Sequence, residues 1–431
     1  PDRCIQMVCT SPPYFGLRVY KGLPPSVWGG DLKCVHRWVS SAVSVGGQSG
    51  GATTKNARTD RYRYGCGSES ATASSSCRCG AWLGHLGLES LHDCLAWARP
   101  EPPCASCYVC HMRVVAAALH RVIRDDGVFW INIGDSYAGG GRSNQPRKYG
   151  AAADGQLSQP QPIPNGVKQK DLFGVPWRVA FALQLDGWYL RRDVIWHKVN
   201  GLPESVTDRP TGAHEYLFLF SKAPRYFYDA EAVKEVAPIT RRVGQTGYLT
   251  PKQESYGANH RPSDKTTLNN TTQSRSMRSV WQLTSQPYHA AHFACFPPEL
   301  PKRCILAGTS AHGACATCGA PWRRGVKSDA PRGAKPRGVW EPSNNSTGLG
   351  AHRGYRGTPT TTTLGWNPTC KCNDPNTVPC VVLDPFLGSG TTGQVAEELG
   401  RDWIGFDANL EYAKLWQDRP ARRNIWRSTR S

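Results

Sequence analysis

Four consecutive residues near the start of the chain, Ser11-Pro12-Pro13-Tyr14, combine side chains that could hold a ligand. They follow an apolar run that begins at Ile5 and reads as a buried strand. The prolines lack backbone N–H groups and their rings fix φ, so the Pro12 carbonyl is held in place beside the Ser11 hydroxyl. The corner therefore offers hydrogen-bond acceptors, with few competing donors, next to the aromatic ring of Tyr14.

A second stretch that could do chemistry, "VVLDPFLGSGTTGQVAEELGRDWIGFDAN" at 381–409, lies near the other end of the chain. It reads as a short buried strand, a glycine-rich turn, a helix and a second strand. Glycines let a ligand approach the backbone, the helix N-terminus offers free N–H groups, and a carboxylate about 20 residues further on is typical of ribose binding. The residues that this pattern assigns to a cofactor are Asp384, Phe386, Gly388, Ser389, Gly390, Thr391 and Asp407.

The same glycines leave other interpretations open. Gly388, Gly390 and Gly393 satisfy the spacing of the dinucleotide fingerprint, so an NAD-linked oxidoreductase is one alternative. A tight turn that binds nothing is another. A phosphate-binding P-loop is excluded, because no Gly-Lys-Ser/Thr follows.

Read together, "TSPPY" and "DPFLGSGTT" resemble the amino-methyltransferases of DNA, which transfer a methyl group from S-adenosylmethionine to the exocyclic nitrogen of cytosine or adenine. Their order, with the target-amine motif first, resembles the beta class of that family. The stretches 125–137, 196–229 and 291–308 look like further core motifs. The resemblance covers most of the chain apart from insertions. It implies a doubly wound, mostly parallel α/β sheet of the Rossmann-like methyltransferase fold, which the alternation of predicted strands and helices also favours.

The resemblance gives the corner a chemical role. An exocyclic amine donates its lone pair into the base and is a poor nucleophile, so two acceptors aimed at its N–H groups would free that lone pair. Ser11 Oγ and the Pro12 carbonyl are the candidates, and Tyr14 would stack on a base flipped out of the duplex. Serine at the first position favours N4-cytosine over N6-adenine, and both stay open.

Other residues have weaker assignments. Phe293 and Phe296 would line the cofactor site, or belong to the core. Asp135 either faces the catalytic side or caps a helix. Glu215 lies near the expected base pocket, where a structural role and a chemical role are both open.

The net charge favours a polyanionic partner. The 431 residues include 52 Lys and Arg against 33 Asp and Glu, a formal charge of +19. Double-stranded DNA is the first candidate and an anionic membrane the second, and a merely solvated basic surface is the alternative.

Because no apolar run approaches the roughly 20 residues that span a bilayer, we expect a cytoplasmic protein. The family resemblance adds a bacterial or phage origin and a possible homodimer.

Seventeen cysteines in a protein expected inside the cell favour metal ligands over disulfides. Tetrahedral Zn²⁺ takes four ligands, and each close Cys pair supplies two. Three candidate zinc sites follow: Cys315, Cys318, Cys370 and Cys372; Cys34, His36, Cys77 and Cys79; and Cys94, Cys104, Cys107 and Cys110, where His111 could replace one thiol. Such sites would stabilise insertions too polar to form cores, and free thiols are the alternative.

Insertions divide the predicted core. Its target-base half is 1–27 and 108–236, its cofactor half is 286–310 and 376–431, and the insertions are 28–107 (Cys/His-rich), 237–285 (target recognition) and 311–375 (zinc-ribbon-like).

Residues 237–280 contain seven Lys and Arg against two acids, a mixture that suits phosphate and base contacts. The DNA-binding candidates there are Arg241, Arg242, Arg275 and Arg278. The alternative for this segment is a flexible solvated loop. For the whole protein, a non-catalytic zinc protein that binds DNA is an alternative, but it would leave the Ser-Pro-Pro-Tyr corner and the glycine-rich turn unexplained.

Overall fold

The computed structural model describes residues 1–16, 25–31, 33–40, 75–87, 89, 102–138, 167–201, 203–237, 273–285, 296–329, 360–409, 412 and 415. The strands are β1 (Ile5–Thr10), β2 (Ser26–Trp28), β3 (Val39–Ser40), β4 (Ser75–Ser76), β5 (Trp82–Gly84), β6 (Ile123–Ile133), β7 (Tyr189–Lys198), β8 (His214–Ser221), β9 (Glu235–Ala237), β10 (Gln273–Arg275), β11 (Val280–Leu283), β12 (Ala314–Cys315), β13 (Arg323–Asp329), β14 (Thr360–Asn367), β15 (Thr377–Val378), β16 (Val381–Asp384) and β17 (Asp402–Gly405). The helices are α1 (Tyr108–Val122), α2 (Val175–Leu185), α3 (Glu299–Gly308) and α4 (Thr391–Glu398).

Seven of these strands form the central sheet, in the order β11-β7-β8-β6-β1-β16-β17. Parallel pairs join β11 to β7, β6 to β1, β1 to β16 and β16 to β17. β8 runs antiparallel to both β6 and β7. The sheet is therefore mixed and mostly parallel, which confirms the predicted sheet type. Every residue of β1 is buried, as expected for a parallel strand that is covered on both faces.

The helices cover the two faces of this sheet. α1 and α2 contact each other, and they contact β6 and β7 respectively. On the other face α3 contacts β1 and β6, and α4 contacts β16 and β17. Successive residues of β1 show the alternation, because Val8 belongs to the core cluster with Met112 and Val179, whereas Met7 lies against Gly308 at the end of α3.

The start of β6 differs from expectation. Asp126-Gly127 reads as a turn in the sequence, but both residues lie inside the continuous strand β6. The residue pairs between β1 and β6 change there from Ile5–Ile123 to Met7–Val128, so β6 has extra residues at this point. The residues expected to form a turn are therefore an irregularity within the strand. The prediction of a turn before the strand is wrong.

The chain divides into two compact units. The central sheet and its helices belong to the first, which contains 1–228, 279–322 and 368–431. The second contains 229–278 and 323–367, which in sequence look like parts of two separate insertions. Its described strands form two antiparallel pairs, β9 with β10 and β13 with β14.

Two small sheets of the first unit carry cysteines. β2, β5, β4 and β3 form a four-stranded sheet in the Cys/His-rich insertion, and β12 pairs with β15 beside Cys315. Among the described residues, no helix is long and apolar enough to cross a membrane.

Candidate active site

The functional motifs follow two neighbouring strands of the central sheet. The parallel strands β6, β1, β16 and β17 end at one edge, and the antiparallel β8 begins there, as the pairing of Ile133 with Tyr216 shows. β1 leads toward β6 and β16 leads toward β17, so the strand order reverses between β1 and β16. Ligands of open α/β sheets bind outside the carboxyl ends of the strands at such a point.

One buried carboxylate joins the two motifs. Thr10, the last residue before the Ser-Pro-Pro-Tyr corner, donates its hydroxyl proton to Asp384 Oδ1 at 2.5 Å across 374 positions of sequence. Asp384 Oδ2 accepts a hydrogen bond from Thr392 Oγ1 at 2.6 Å, and Oδ1 accepts another from Phe386 N at 3.0 Å. The carboxylate thus ties β1, β16 and the first turn of α4, and it places Ser11 beside the start of the glycine turn.

The Asp384 carboxyl has a displaced pKa. Burial raises the pKa to about 6 from an ordinary value of 3.8, although the hydrogen bonds from Thr10 and Thr392 act in the opposite direction. Burial dominates because the side chain is only 2 % exposed. A carboxyl whose pKa is higher in the folded than in the unfolded state stabilises the fold below about pH 4, and that contribution is lost as the pH rises through about 6.

We therefore expect Asp384→Asn to change the pH dependence of folding. Asparagine cannot ionise, and its amide can still bond both threonines. The free energy of unfolding of the variant, relative to that of the wild type, should rise by up to about 3 kcal/mol between pH 4 and pH 7. Urea unfolding across this range measures the difference, in which all other titrating groups cancel. Parallel profiles for the two proteins would contradict the assignment.

The glycine turn has a backbone conformation that depends on its glycines. Gly388 and Gly390 have φ of +53° and +80°, a conformation that favours glycine, and Gly390 is the N-cap of α4. A Cβ on Gly388 would meet nothing closer than the Phe386 carbonyl oxygen at 3.9 Å, so a ligand can approach that surface. Asp407 Oδ2 accepts a hydrogen bond from Gly388 N at 2.8 Å. The turn, the helix start and the carboxylate fit the predicted cofactor role.

Contacts with α1 and with the hydrophobic core fix the position of the Ser-Pro-Pro-Tyr corner. Tyr108 on α1 donates its hydroxyl proton to the Pro13 carbonyl at 2.8 Å, so that carbonyl is already used. Phe15 is buried and meets Phe173 edge to face, with ring centroids 5.3 Å apart. The Ser11 hydroxyl lies 3.4 Å from the Tyr14 hydroxyl. The residues on both sides of Ser11 and Pro12 are thus fixed.

Polar side chains from three strands fix the Tyr14 hydroxyl. It donates to Glu215 Oε2 at 2.5 Å and lies 2.9 Å from Asn132 Oδ1. The Asn132 amide is itself oriented, because its Nδ2 donates to the Tyr216 carbonyl at 3.0 Å. Lys198 Nζ forms an ion pair with the other oxygen of Glu215. Tyr14 is therefore anchored at its polar end.

Sequence reasoning left most of this anchor unassigned. Of Asn132, Lys198 and Glu215, the sequence singles out only Glu215, with its role open. The signal in the sequence is a charged residue at one terminus of each apolar strand. Lys198 follows "YLRRDVIWH", and Glu215 lies at the start of "HEYLFLFS". Gly134 is a further part, because a Cβ there would lie 2.6 Å from the ring of Tyr14.

The other sequence-predicted residues have mixed positions. Asp135 Oδ1 accepts hydrogen bonds from Ser136 N and from Val175 N at the start of α2, so the helix-cap role is the one found. Phe296 is half-buried just before α3. The predicted residues that lie outside the described part of the chain are Phe293, Cys94, Arg241 and Arg242.

Two of the cysteine groups form complete tetrads. In each, all four ligand atoms lie within 4.8 Å of one another; the groups are Cys34, His36, Cys77 and Cys79, and Cys315, Cys318, Cys370 and Cys372. Tetrahedral Zn²⁺ with Zn–S distances of about 2.3 Å holds its sulfurs about 3.8 Å apart, which both groups can accommodate. Backbone hydrogen bonds, chiefly at Cys318, lower the pKa of Cys315 to about 7, whereas hydrogen bonds with the neighbouring thiols, first that of Cys318, raise the pKa of Cys372 to about 12; the thiolate is therefore favoured at Cys315 and not at Cys372.

The third group has three described members, Cys104, Cys107 and Cys110. His111 does not complete it. Its Nδ1 lies 2.8 Å from Glu89 Oε1 and its Nε2 lies 2.6 Å from the Ala105 carbonyl, so both ring nitrogens are engaged. The suggestion that His111 could replace a thiol is wrong.

Comparison with known proteins identifies the family. A model described as DNA methylase, of the N6/N4 methyltransferase group, matches residues 5–315 and 379–418, which is more than half of the chain. The chain belongs to this family. It is 35 % identical to the type II methyltransferase M.SmaI of Serratia marcescens over 308 residues, 71 % of each chain, and 34 % identical to M.XycI of Xanthomonas campestris pv. cyanopsidis over 310 residues, 71 % of this chain and 70 % of that one. The solved PvuII cytosine-N4-specific DNA methyltransferase is 18 % identical, with a TM-score of 0.38, and the match covers 74 % of this chain and 72 % of that one.

This methyltransferase is thus an S-adenosylmethionine-dependent enzyme whose substrate is DNA, as the two motifs predict. The family excludes the NAD-linked oxidoreductase and the non-catalytic zinc protein. When bound, S-adenosylmethionine supplies an electrophilic methyl group. The residues that the sequence pattern assigns to it lie around the reversal of strand order; they are Asp384, Phe386, Gly388, Ser389, Gly390, Thr391 and Asp407.

Proposed function

We propose that this methyltransferase modifies the N4 amino group of a cytosine that is flipped out of the DNA duplex. The observation that carries the proposal is the hydrogen bond from Thr10 to Asp384, because it brings the Ser11 corner to the turn at Gly388. Cytosine is favoured over adenine by the serine at the first position of the corner. The N6 of adenine is the second candidate.

The corner would activate the amine by hydrogen bonding. Ser11 Oγ and the Pro12 carbonyl accept the two N–H bonds, so the nitrogen moves toward tetrahedral geometry and its lone pair faces the methyl donor. Tyr14 stacks on the base. Because the hydroxyl of Tyr14 is already held by Glu215, the ring requires little reorganisation when the base enters.

The same hydrogen bonds offer a path for the proton that the methylated nitrogen must lose. The Ser11 hydroxyl can pass a proton to the Tyr14 hydroxyl at 3.4 Å, and Tyr14 donates to Glu215 at 2.5 Å. The Glu215 carboxylate, paired with Lys198, is the final acceptor. Glu215 is therefore a positioning residue that acts on the base through Tyr14 and Ser11.

We expect Glu215→Gln to lower kcat for methyl transfer by about 10-fold to 100-fold, because a positioned proton acceptor is lost. The Kd for S-adenosylmethionine should not change. Single-turnover transfer to duplex DNA measures the effect. Glu299→Gln, which removes an exposed carboxylate on α3, is the matched control. Equal rates in all three proteins would rule out this role of Glu215.

The target base can be identified directly. The full-length protein is incubated with bacterial genomic DNA and S-adenosylmethionine labelled on the methyl group, and the DNA is digested to nucleosides. We expect label in N4-methylcytosine. Label in N6-methyladenine would keep the reaction class but change the base, and label in neither would refute the proposal.

Zinc at the two complete tetrads belongs to the same proposal, and it is supported by the closeness of the four ligand atoms in each. Cys104, Cys107 and Cys110 would form a third site with Cys94. We expect elemental analysis of freshly purified protein to find at least two zinc ions per chain. Protein without zinc that retains its fold would refute this part.

DNA contact is proposed for the basic residues of 237–280. Of the four arginines assigned to it, Arg275 and Arg278 are described, and both pair with Glu235 in the second unit. Arg278 stays 64 % exposed and can reach a phosphate. Arg275 is one-third exposed and pairs with the same carboxylate as Arg278.

A homodimer, expected from the beta-class resemblance, would be detected by light scattering.

A further inference from the structure

The ribbon formed by β13 and β14 in the second unit has two chemically different faces. Side chains alternate along each strand, and residues paired across the strands share a face. The register pairs Arg324 with Trp366 on one face, and Arg323 with Asn367 and Lys327 with Thr362 on the other. We call the first the anchored face, which carries Arg324, Val326, Thr361, Thr363 and Trp366. We call the second the outer face, which carries Arg323, Gly325, Lys327, Thr362, Gly365 and Asn367.

The anchored face is bound to the segment that begins at Asp229. Arg324 donates from Nε and Nη2 to Asp229 Oδ2 at 3.1 and 3.0 Å, and its guanidinium lies 4.4 Å from the centre of the Trp366 ring. Asp229 is buried, so this charge-assisted pair is well shielded from water. Thr361 donates to the Glu231 carboxylate. These contacts explain why 229–278 and 323–367 form one compact unit, and they fix which face of the ribbon turns away.

The outer face is polar and accessible. Arg323, Lys327, Thr362 and Asn367 are all exposed. Between them the paired glycines 325 and 365 form a floor without side chains, and a Cβ on Gly365 would have no neighbour within 4 Å. Two cations, an amide and a hydroxyl therefore surround a flat stretch of backbone.

Charge on the connecting segment has the same sign. In sequence, residues 329–359, which start at the last residue of β13 and end before β14, carry five cationic side chains against two acids, Asp329 and Glu341. The cationic residues are Arg332, Lys335, Arg337, Arg353 and Arg356. A ribbon whose outer face and connection are both basic is complementary to a polyanion.

We propose that the outer face of the β13–β14 ribbon docks in the major groove of the substrate DNA and takes part in target recognition. The major groove admits a two-stranded ribbon, the cations suit phosphates or guanine, and an amide such as that of Asn367 suits adenine. Target recognition is then shared by two separate parts of the sequence, 229–278 and 323–367. The inference rests on the proposed function, because it assumes that duplex DNA is the substrate.

The test removes the two cations of the outer face. Arg323→Gln with Lys327→Gln is compared with Arg3→Gln and Arg121→Gln, which remove two exposed cations of the first unit. Binding to duplex genomic DNA is measured without the cofactor by fluorescence anisotropy between 50 and 200 mM salt. If both cations contact phosphate, the slope of log K against log salt should fall by about 1.8 in magnitude. We expect about 60-fold weaker binding at 0.1 M salt, and no change in the control.

Asn367→Ala tests base reading without a change of charge. We expect the slope of log K against log salt to stay constant. The affinity for a fragment that the wild type methylates, divided by the affinity for a fragment that it does not methylate, should fall at least about 5-fold. Circular dichroism confirms that each variant is folded, and Asn367→Ala alone decides if the double variant does not fold. Unchanged affinity, slope and preference, or a change of oligomeric state alone, would overturn the inference. If the wild type transfers no methyl group, the proposed function fails separately, because DNA binding and its slope are measured without the cofactor.

Discussion

Replacing Ser11 with alanine is expected to reduce kcat for methyl transfer by about 100-fold and to leave the Kd for S-adenosylmethionine unchanged. The variant loses one of two acceptors that orient the amine and the first link of the proton path. Loss of a single oriented hydrogen-bond partner in an active site costs about 100-fold to 1000-fold in rate. The cofactor residues around Gly388 belong to a different strand end and keep their geometry.

Single-turnover kinetics on duplex DNA and calorimetry with S-adenosylmethionine separate the two quantities. Ser221→Ala is the matched control, because Ser221 is a buried serine at the opposite end of β8, where its hydroxyl donates to the Ala223 carbonyl. The control should lose about 1 kcal/mol of stability and no activity. A Ser11→Ala enzyme that methylates at the wild-type rate would disprove the role assigned to the corner.

Replacing Cys318 with serine is expected to remove one zinc ion per chain and to lower the free energy of unfolding by at least about 3 kcal/mol. The turn that holds Cys318 lies against the base of the central sheet. Gln6 Nε2 donates to the Gly319 carbonyl at 3.0 Å, and Arg124 donates to the Cys318 carbonyl at 2.5 Å. Without the metal these contacts must hold a polar loop alone.

Zinc content by elemental analysis and urea unfolding measure the two effects. Cys318 is exposed, so the change of side chain itself disturbs little packing. Cys4→Ser, outside every cysteine group, is the control and should change neither quantity. Full zinc content with unchanged stability in the Cys318 variant would show that this tetrad holds no structural metal.

The central sheet could be predicted because its strands are marked by apolar runs of strand length, as in β1 and β8, and its helices by helical periodicity. The position of β8 between β6 and β7, antiparallel to both, could not. Strand order depends on which apolar faces meet after collapse, and β8 is apolar along nearly its whole length, with no signal that sets its neighbours.

The candidate site divides in the same way. The corner at Ser11 and the turn at Gly388 carry local signals, since proline and glycine constrain the backbone by themselves. The bond between Thr10 and Asp384 and the anchoring of Tyr14 by Glu215 join residues 374 and 201 positions apart, and such pairs follow only from the strand order. The link between Asp229 and Arg324 escaped prediction for the same reason.

The most direct test is a crystal structure of the methyltransferase with S-adenosylhomocysteine and a duplex that contains its target site. We expect the cofactor product beside Gly388 and Asp407, and a flipped cytosine stacked on Tyr14 with its amino group within hydrogen-bond distance of Ser11 Oγ and the Pro12 carbonyl. A flipped base held away from this corner, or a cofactor product bound elsewhere than at the ends of β16 and β17, would contradict the proposed mechanism.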